Sequence, residues 1–253
     1  MTMLRAQLHA DLLAFRRAPS AVFFTVGLPI IFLILFESIF GSQKVPGANG
    51  QQIDLSTLQV PSFMVMGVVS ASFVSLCITM VNRRESGVFK RVRGTPAPAW
   101  VLIAGQVVAT LIVAILMVVL MVMLGQFAYS VALDWSHVWW LVLGVLVGAV
   151  AFSALGMALA AVVPSLDAAA PIANLIVLPL YFISGVFVPV SELPTWLANV
   201  AEYLPIRPFV EVLSYPYDPG TSLPWVALLI LMAWGIVGLA LAARFFRWTP
   251  RHN

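Results

Sequence analysis

Charge is what this sequence has least of. Of 253 residues, 9% are Asp, Glu, Lys or Arg and 62% are hydrophobic, and the mean hydropathy is +1.02. A soluble domain gives about a quarter of its residues to charge. So little charge cannot cover a chain of this length in water, which makes it a polytopic membrane protein. Cysteine is nearly absent: Cys77 stands alone in an apolar run. An internal disulfide and a cysteine-rich metal site are therefore excluded, and Cys77 reads as a small buried hydrophobe. His9, His137 and His252 are too scattered to give metal-ligand spacing, so no metal is expected. No G-x-x-x-x-G-K-[ST] segment occurs, so the chain does not bind a nucleotide by that route. Nor is there a pair of aspartates at depth, an H-E-x-x-H run, or a Ser–His or Cys–His set, so it is no enzyme by itself.

The apolar runs are nearly free of ionisable groups as well. Glu37 is the exception, within about one helical turn of a run's end, and Asn174 is one of few strongly polar residues at depth. Ion-coupled carriers usually place acids or unwound polar backbone near mid-membrane. An ion-coupled secondary carrier is thus the disfavoured alternative. A bundle moved from outside itself fits better.

What is present is length. A helix needs about 20 apolar residues to cross roughly 30 Å of hydrocarbon. Six runs qualify: 21–40, 61–81, 100–125, 138–163, 168–188 and 223–243. They predict an all-α fold in one transmembrane domain, with a loop over 82–99 and a long connection over 189–222. With both termini on one side, that side receives Arg5, Arg16, Arg17, Arg83, Arg84, Lys90, Arg91, Arg93, Arg244, Arg247 and Arg251. The other side receives Lys44 and Arg207. This asymmetry places both termini and the 82–99 loop in the cytoplasm. Residues 1–19 repeat Leu4, Leu8, Leu12 and Phe15 at helical spacing, which suits a helix in the inner membrane interface that ends at Pro19. A cleaved signal is the rival reading, but the apolar run that follows is too long and lacks a small-x-small site.

Two stretches carry more than topology. "RRESGVFKRVRGTP" (83–96) holds five of the thirteen Lys and Arg residues. Each costs about 2.5–3.5 kcal/mol at a helix centre, so the segment is not intramembrane. These cations can serve as orientation signals or meet anionic headgroups. The mixed signs, the interleaved Val88, Phe89 and Val92, and the breaks at Gly87 and Gly94–Pro96 also describe a short amphipathic docking element for a protein partner. Nucleic acid suits so small a cluster at the membrane poorly. The second stretch, 184–220, is too polar and proline-rich to cross. Its apolar residues recur at near-helical spacing, which predicts short helices at or dipping into the outer interface, with Trp196, Tyr203 and Tyr215 as anchors. In the fourth run Gly144, Gly148, Gly156 and Ala160 share an i+4 face suited to close helix packing. Pro171 and Pro179 interrupt the fifth run.

The first stretch resembles the R-E-x-G-x-x-x-R-x-x-x-x-P segment of type-2 ABC transporter permeases, with Arg84, Glu85, Gly87, Arg91 and Pro96 on its positions. The second resembles the same family's S-G-x-x-x-P, L-P-x-W-L and Y-L-P elements at Ser184, Gly185, Pro189, Leu193, Pro194, Trp196, Leu197, Tyr203, Leu204 and Pro205. Asn82 stands where many members carry another acid, which affects the charge pairing with the partner. The resemblance implies a coupling helix made of Arg83, Arg84, Glu85, Gly87, Phe89, Lys90, Arg91, Arg93 and Pro96, seated on a separate ATPase subunit that holds ATP and Mg. It implies an extracellular gate region at Gly185, Pro189, Pro194, Trp196, Leu197 and Pro205, and a second permease copy, identical or related. The setting would be the bacterial plasma (inner) membrane. Phe63, Met66, Phe73, Asn174 and Phe182 are candidates for an apolar path, suited to a hydrophobic or amphiphilic drug or antibiotic, with a lipid or lipid-linked glycan as the alternative cargo.

Overall fold

The computed structural model describes residues 2–41, 43–47, 50–88, 99–188, 190–218 and 223–245. Helix α1 (Thr2–Arg16) precedes Pro19, which opens α2 (Pro19–Phe40) from its first turn, where a missing N–H costs nothing. A small antiparallel hairpin, β1 (Lys44–Pro46) and β2 (Gln52–Asp54), pairs Val45 with Ile53 and leads into α3 (Ser56–Glu85). Next come α4 (Ala99–Tyr129), α5 (Val138–Val162) and α6 (Leu166–Ile183). Two short helices follow, α7 (Thr195–Tyr203) and α8 (Ile206–Ser214), and then α9 (Trp225–Phe245). Six of these, α2 to α6 and α9, are long and apolar enough to cross a membrane. The protein is an all-α polytopic membrane protein.

The helix ends differ from the hydropathy limits for local reasons. Helix α3 runs on through Asn82–Glu85, because its terminal arginines find partners inside the protein and the helix need not stop at the last apolar residue. Gly87 ends it, with φ +69° and its N–H donating to the Arg84 carbonyl at 3.2 Å. That left-handed conformation suits glycine and closes a helix C-terminus. Helix α6 stops at Ile183, short of 188, where Ser184 is followed by Gly185 at φ +87°. Both α2 and α3 contain one wide turn, at Phe23–Gly27 and Ser70–Ser75, hydrogen-bonded i to i+5.

Helices α3 and α5 are the most enclosed of the six. The small-residue face of α5 is where neighbours approach. A Cβ on Gly148 would lie 2.4 Å from the Phe209 ring, one on Gly144 would lie 2.7 Å from Val212, and one on Gly156 would lie 2.7 Å from the Phe73 carbonyl. On α9, Gly238 lies as close to the Ala154–Leu155 backbone. Helices α7 and α8 part company. Helix α7 leaves Trp196, Val200 and Tyr203 exposed, whereas α8 is sunk into the bundle with Ile206, Phe209, Val212 and Leu213 wholly buried. Phe209 meets Phe152 of α5, ring centroids 5.7 Å apart.

Candidate functional site

The end of α3 is the most densely bonded polar region among the described residues. Arg84 is 1% exposed. Its Nη1 donates to the Ala160 carbonyl at 2.9 Å and its Nη2 to the Val163 carbonyl at 2.8 Å, with the Pro164 carbonyl at 3.4 Å. These are the carbonyls left open where α5 ends, since Pro164 cannot continue the helix. A guanidinium there meets the negative end of the helix dipole with a planar fork of donors. Its Nε donates to Glu85 Oε1 at 3.0 Å. The neighbouring Arg83 turns the other way and pairs through Nη2 with Asp11 Oδ1 of α1, which also accepts from Gln7 Nε2 at 2.8 Å. Burial pushes the Asp11 carboxyl above the usual carboxylate range, against the pull of Arg83.

This corrects the reading of both arginines as surface contacts. Arg84 is enclosed, and Arg83 is largely covered by α1, because each finds a partner within the chain; Arg83 Nη1 is buried without one. Glu85 and Gly87 remain partly accessible at the helix end. Phe89, Lys90, Arg91, Arg93 and Pro96 lie outside the described residues.

The connection after α6 gathers a second set. Pro194 and Trp196 are exposed, Leu197 is half-buried and Pro205 is buried; Pro189 lies outside the described residues. Gly185 is half-buried: its carbonyl accepts from Ser62 Oγ at 3.4 Å, and a Cβ there would sit 3.2 Å from the Arg207 guanidinium. Burial pulls the Arg207 guanidinium below its ordinary range, with Glu211 and Glu202 opposing. Two residues further on, Phe187 is the hub of an aromatic cluster. Its ring centroid lies 5.4 Å from Phe32, 5.9 Å from Phe36, 6.1 Å from Phe63, 6.1 Å from Tyr181 and 5.0 Å from Phe182.

The five path candidates do not line one passage. Phe63, Met66 and Phe73 are buried in the core, and the Met66 carbonyl accepts from the Tyr181 hydroxyl at 3.2 Å. Asn174 and Phe182 are exposed on α6. Their aromatic and aliphatic character made them candidates, but packing against neighbouring helices claims the first three. Phe63 and Phe182 both meet Phe187, from the buried and the exposed set respectively. The residues missed are Phe32, Phe36 and Asp11. The phenylalanines gave an i, i+4 signal on one face of the first span; Asp11, a lone acid in a polar terminus, gave none.

Comparison with known proteins agrees with this architecture. The sequence profile described as "ABC-2 type transporter" matches residues 2–217. The chain is 25% identical over 244 residues to the "Putative transport permease YvfS" of Bacillus subtilis (strain 168), covering 96% of each protein. It is 24% identical over 198 residues to the "Probable multidrug ABC transporter permease YbhR" of Escherichia coli (strain K12), covering 77% of this chain and 54% of that protein.

Proposed function

Because this chain belongs to the ABC-2 type transporter family, and so is a membrane subunit of an ABC transporter, we propose that it is the permease of an ATP-driven exporter of hydrophobic or amphiphilic compounds. A separate ATPase chain docks on the segment that starts at Gly87 and holds the ATP and Mg. Both termini face the cytoplasm of a bacterial plasma membrane, in line with the cation asymmetry and the two bacterial relatives. The similarity to YbhR, a probable multidrug permease, favours drugs or antibiotics as cargo. The Arg84 fork is the observation that carries the reading: it ties the root of the docking segment to the end of α5. A push on that segment therefore reaches two spans at once. The partner ATPase makes its contacts with Glu85, Phe89 and the cations beyond, while Arg84 works from inside. A second copy of the permease covers the face of α6 on which Asn174 lies with the exposed Leu178 and Phe182, since an amide facing lipid lacks a partner.

The test is purification of the membrane protein with its ATPase and ATP-driven uptake of amphiphilic dyes into inside-out vesicles. Cargo movement by the permease alone without nucleotide would overturn the proposal. Phe89→Ala is expected to weaken ATPase retention by about thirtyfold, an interface hot spot of about 2 kcal/mol, while the bundle remains folded. Unchanged retention would remove Phe89 from the interface.

The cluster around Phe187 closes the end of the bundle that faces outward in this orientation. Phe187→Ala opens a gap among five rings. It should cost about 2–3 kcal/mol, below the cost for a fully buried ring, and accelerate nucleotide-independent dye leak from vesicles. Phe187→Leu keeps most of the volume and should leak little. Equal leak in wild type and the alanine variant would disprove a gate there.

A further inference from the structure

Helix α3 is tied to the segment that carries Phe187 by polar bonds as well as by rings. Tyr181, on α6, is 2% exposed, and its hydroxyl donates to the Met66 carbonyl of α3 at 3.2 Å. That oxygen already accepts from the Ser70 N–H within α3, so the phenol takes its second lone pair. Ser70 is also the first residue of the wide turn at Ser70–Ser75. One helical turn before Met66, the Ser62 hydroxyl donates to the Leu58 carbonyl at 2.8 Å and reaches the Gly185 carbonyl at 3.4 Å. A step of four residues along α3, from Ser62 to Met66, is thus matched by a step of four in the opposite sense, from Gly185 to Tyr181. The two segments run side by side in one antiparallel register with a polar rung at each end. The rungs are unequal. Ser62 has a nearer acceptor in its own helix, so Tyr181 makes the stronger tie.

The same tyrosine touches the aromatic cluster. Its ring stands edge-on to Phe187, centroids 6.1 Å apart at 88°. One side chain therefore holds a backbone oxygen of α3 with its tip and the hub of the cluster with its ring. The oxygen it holds belongs to the turn that leads into Ser70–Ser75, and single wide turns of this kind recur at functional sites. Below that turn, α3 runs to Arg84 and the root of the docking segment. We propose that Tyr181 is a positioning residue for the gate: its hydroxyl, bound to the Met66 carbonyl, keeps Phe187 in the closed cluster, and a shift of α3 that withdraws this carbonyl releases the ring. Tyr181 makes the outer end follow a movement that starts at the inner one. The inference rests on the reading of Phe187 as the gate of an exporter.

Tyr181→Phe tests this, because it keeps the ring against Phe187 and removes only the hydroxyl. The full chain is reconstituted in sealed vesicles without ATPase or nucleotide, and dye leak is compared among wild type, Tyr181→Phe, Phe187→Ala and the double variant. One interhelical hydrogen bond in a membrane predicts a leak raised roughly threefold to tenfold by Tyr181→Phe. In the Phe187→Ala background the second substitution should add nothing, since the ring that Tyr181 positions is gone. Thermal denaturation in detergent should show Tyr181→Phe folded, as phenylalanine fills the same buried space. A tyrosine that only packs predicts wild-type leak in Tyr181→Phe, or a rise that multiplies in full with that of Phe187→Ala. Either result, with Phe187→Ala leaking, overturns the role of Tyr181 and leaves the gate standing. If Phe187→Ala itself does not leak, the gate reading fails and this inference falls with it, so the two failures are told apart in one set of vesicles.

Discussion

Arg84→Met should destabilise the permease by about 3 kcal/mol. The estimate sets two good charge-assisted bonds, each worth about 1.5–3 kcal/mol, against the desolvation that a buried guanidinium suffers. Methionine fills much of the same space, so the loss is of bonds and not of volume. What it leaves is a set of carbonyls at the end of α5 with no donor, and a Glu85 that turns to water, since its side chain is already 28% exposed. Arg84→Lys should recover less than half of the loss, because a single ammonium cannot span the Ala160 and Val163 carbonyls as the fork does. Denaturation of the detergent-solubilised protein measures the stability. The coupling consequence is read separately, as dye moved per ATP hydrolysed in the assembled complex. A structural tie alone predicts normal stoichiometry in the molecules that remain folded; a transmission role predicts that ATP is spent with less transport. Wild-type stability in Arg84→Met would show that the fork contributes nothing.

Gly156→Ala is the second large effect, and its size comes from what the new methyl meets. It would lie 2.7 Å from the Phe73 carbonyl oxygen, 3.1 Å from Phe73 Cα and 3.1 Å from the Ser72 oxygen. All three are backbone, so no rotamer change relieves them and α3 and α5 must separate. Overpacking of this kind costs about 1–3 kcal/mol, from which alanine's better helix propensity returns roughly 1 kcal/mol. Valine has no such compensation and should reach the top of that range or beyond. Gly27→Ala is the control: its methyl meets only the Phe23 ring at 3.2 Å, and that ring is 49% exposed and free to swing. It should fall within about 1 kcal/mol of wild type, on either side. If both alanine variants unfold alike, close approach at Gly156 is not what holds α3 to α5.

The contrast shows what could be read from residue order. Hydropathy was enough to find the six long helices, because a bilayer imposes a length that a run of apolar residues either meets or does not. The i+4 row of small residues on α5 likewise announced close packing, but not its partners, which come from α8 and the middle of α3. Charge misled at Arg83 and Arg84. A cluster of cations beside an apolar run reads as a surface, and the groups that draw these two inward are Asp11, 72 residues away, and carbonyls 76–80 residues away. Carbonyls have no signature in a sequence at all. Helix α8 was legible only in part: its apolar spacing left open whether it lies at or dips into the outer interface, and what draws it in is the pair Gly144 and Gly148, which leave room for Val212 and Phe209. Gly185 and Gly87 were visible as motif positions, and the left-handed turns they make account for the choice of residue.

The wide turn at Ser70–Ser75 bears on everything below it. A turn with one residue to spare advances the phase of the rest of the helix by about 100°, so α3 is in effect two screws on a shared axis, set out of step. Only in that offset does one arginine look toward α1 and its neighbour toward α5. Shortening the turn by a single residue would keep every apolar residue in the membrane and leave both cations aimed at the wrong walls.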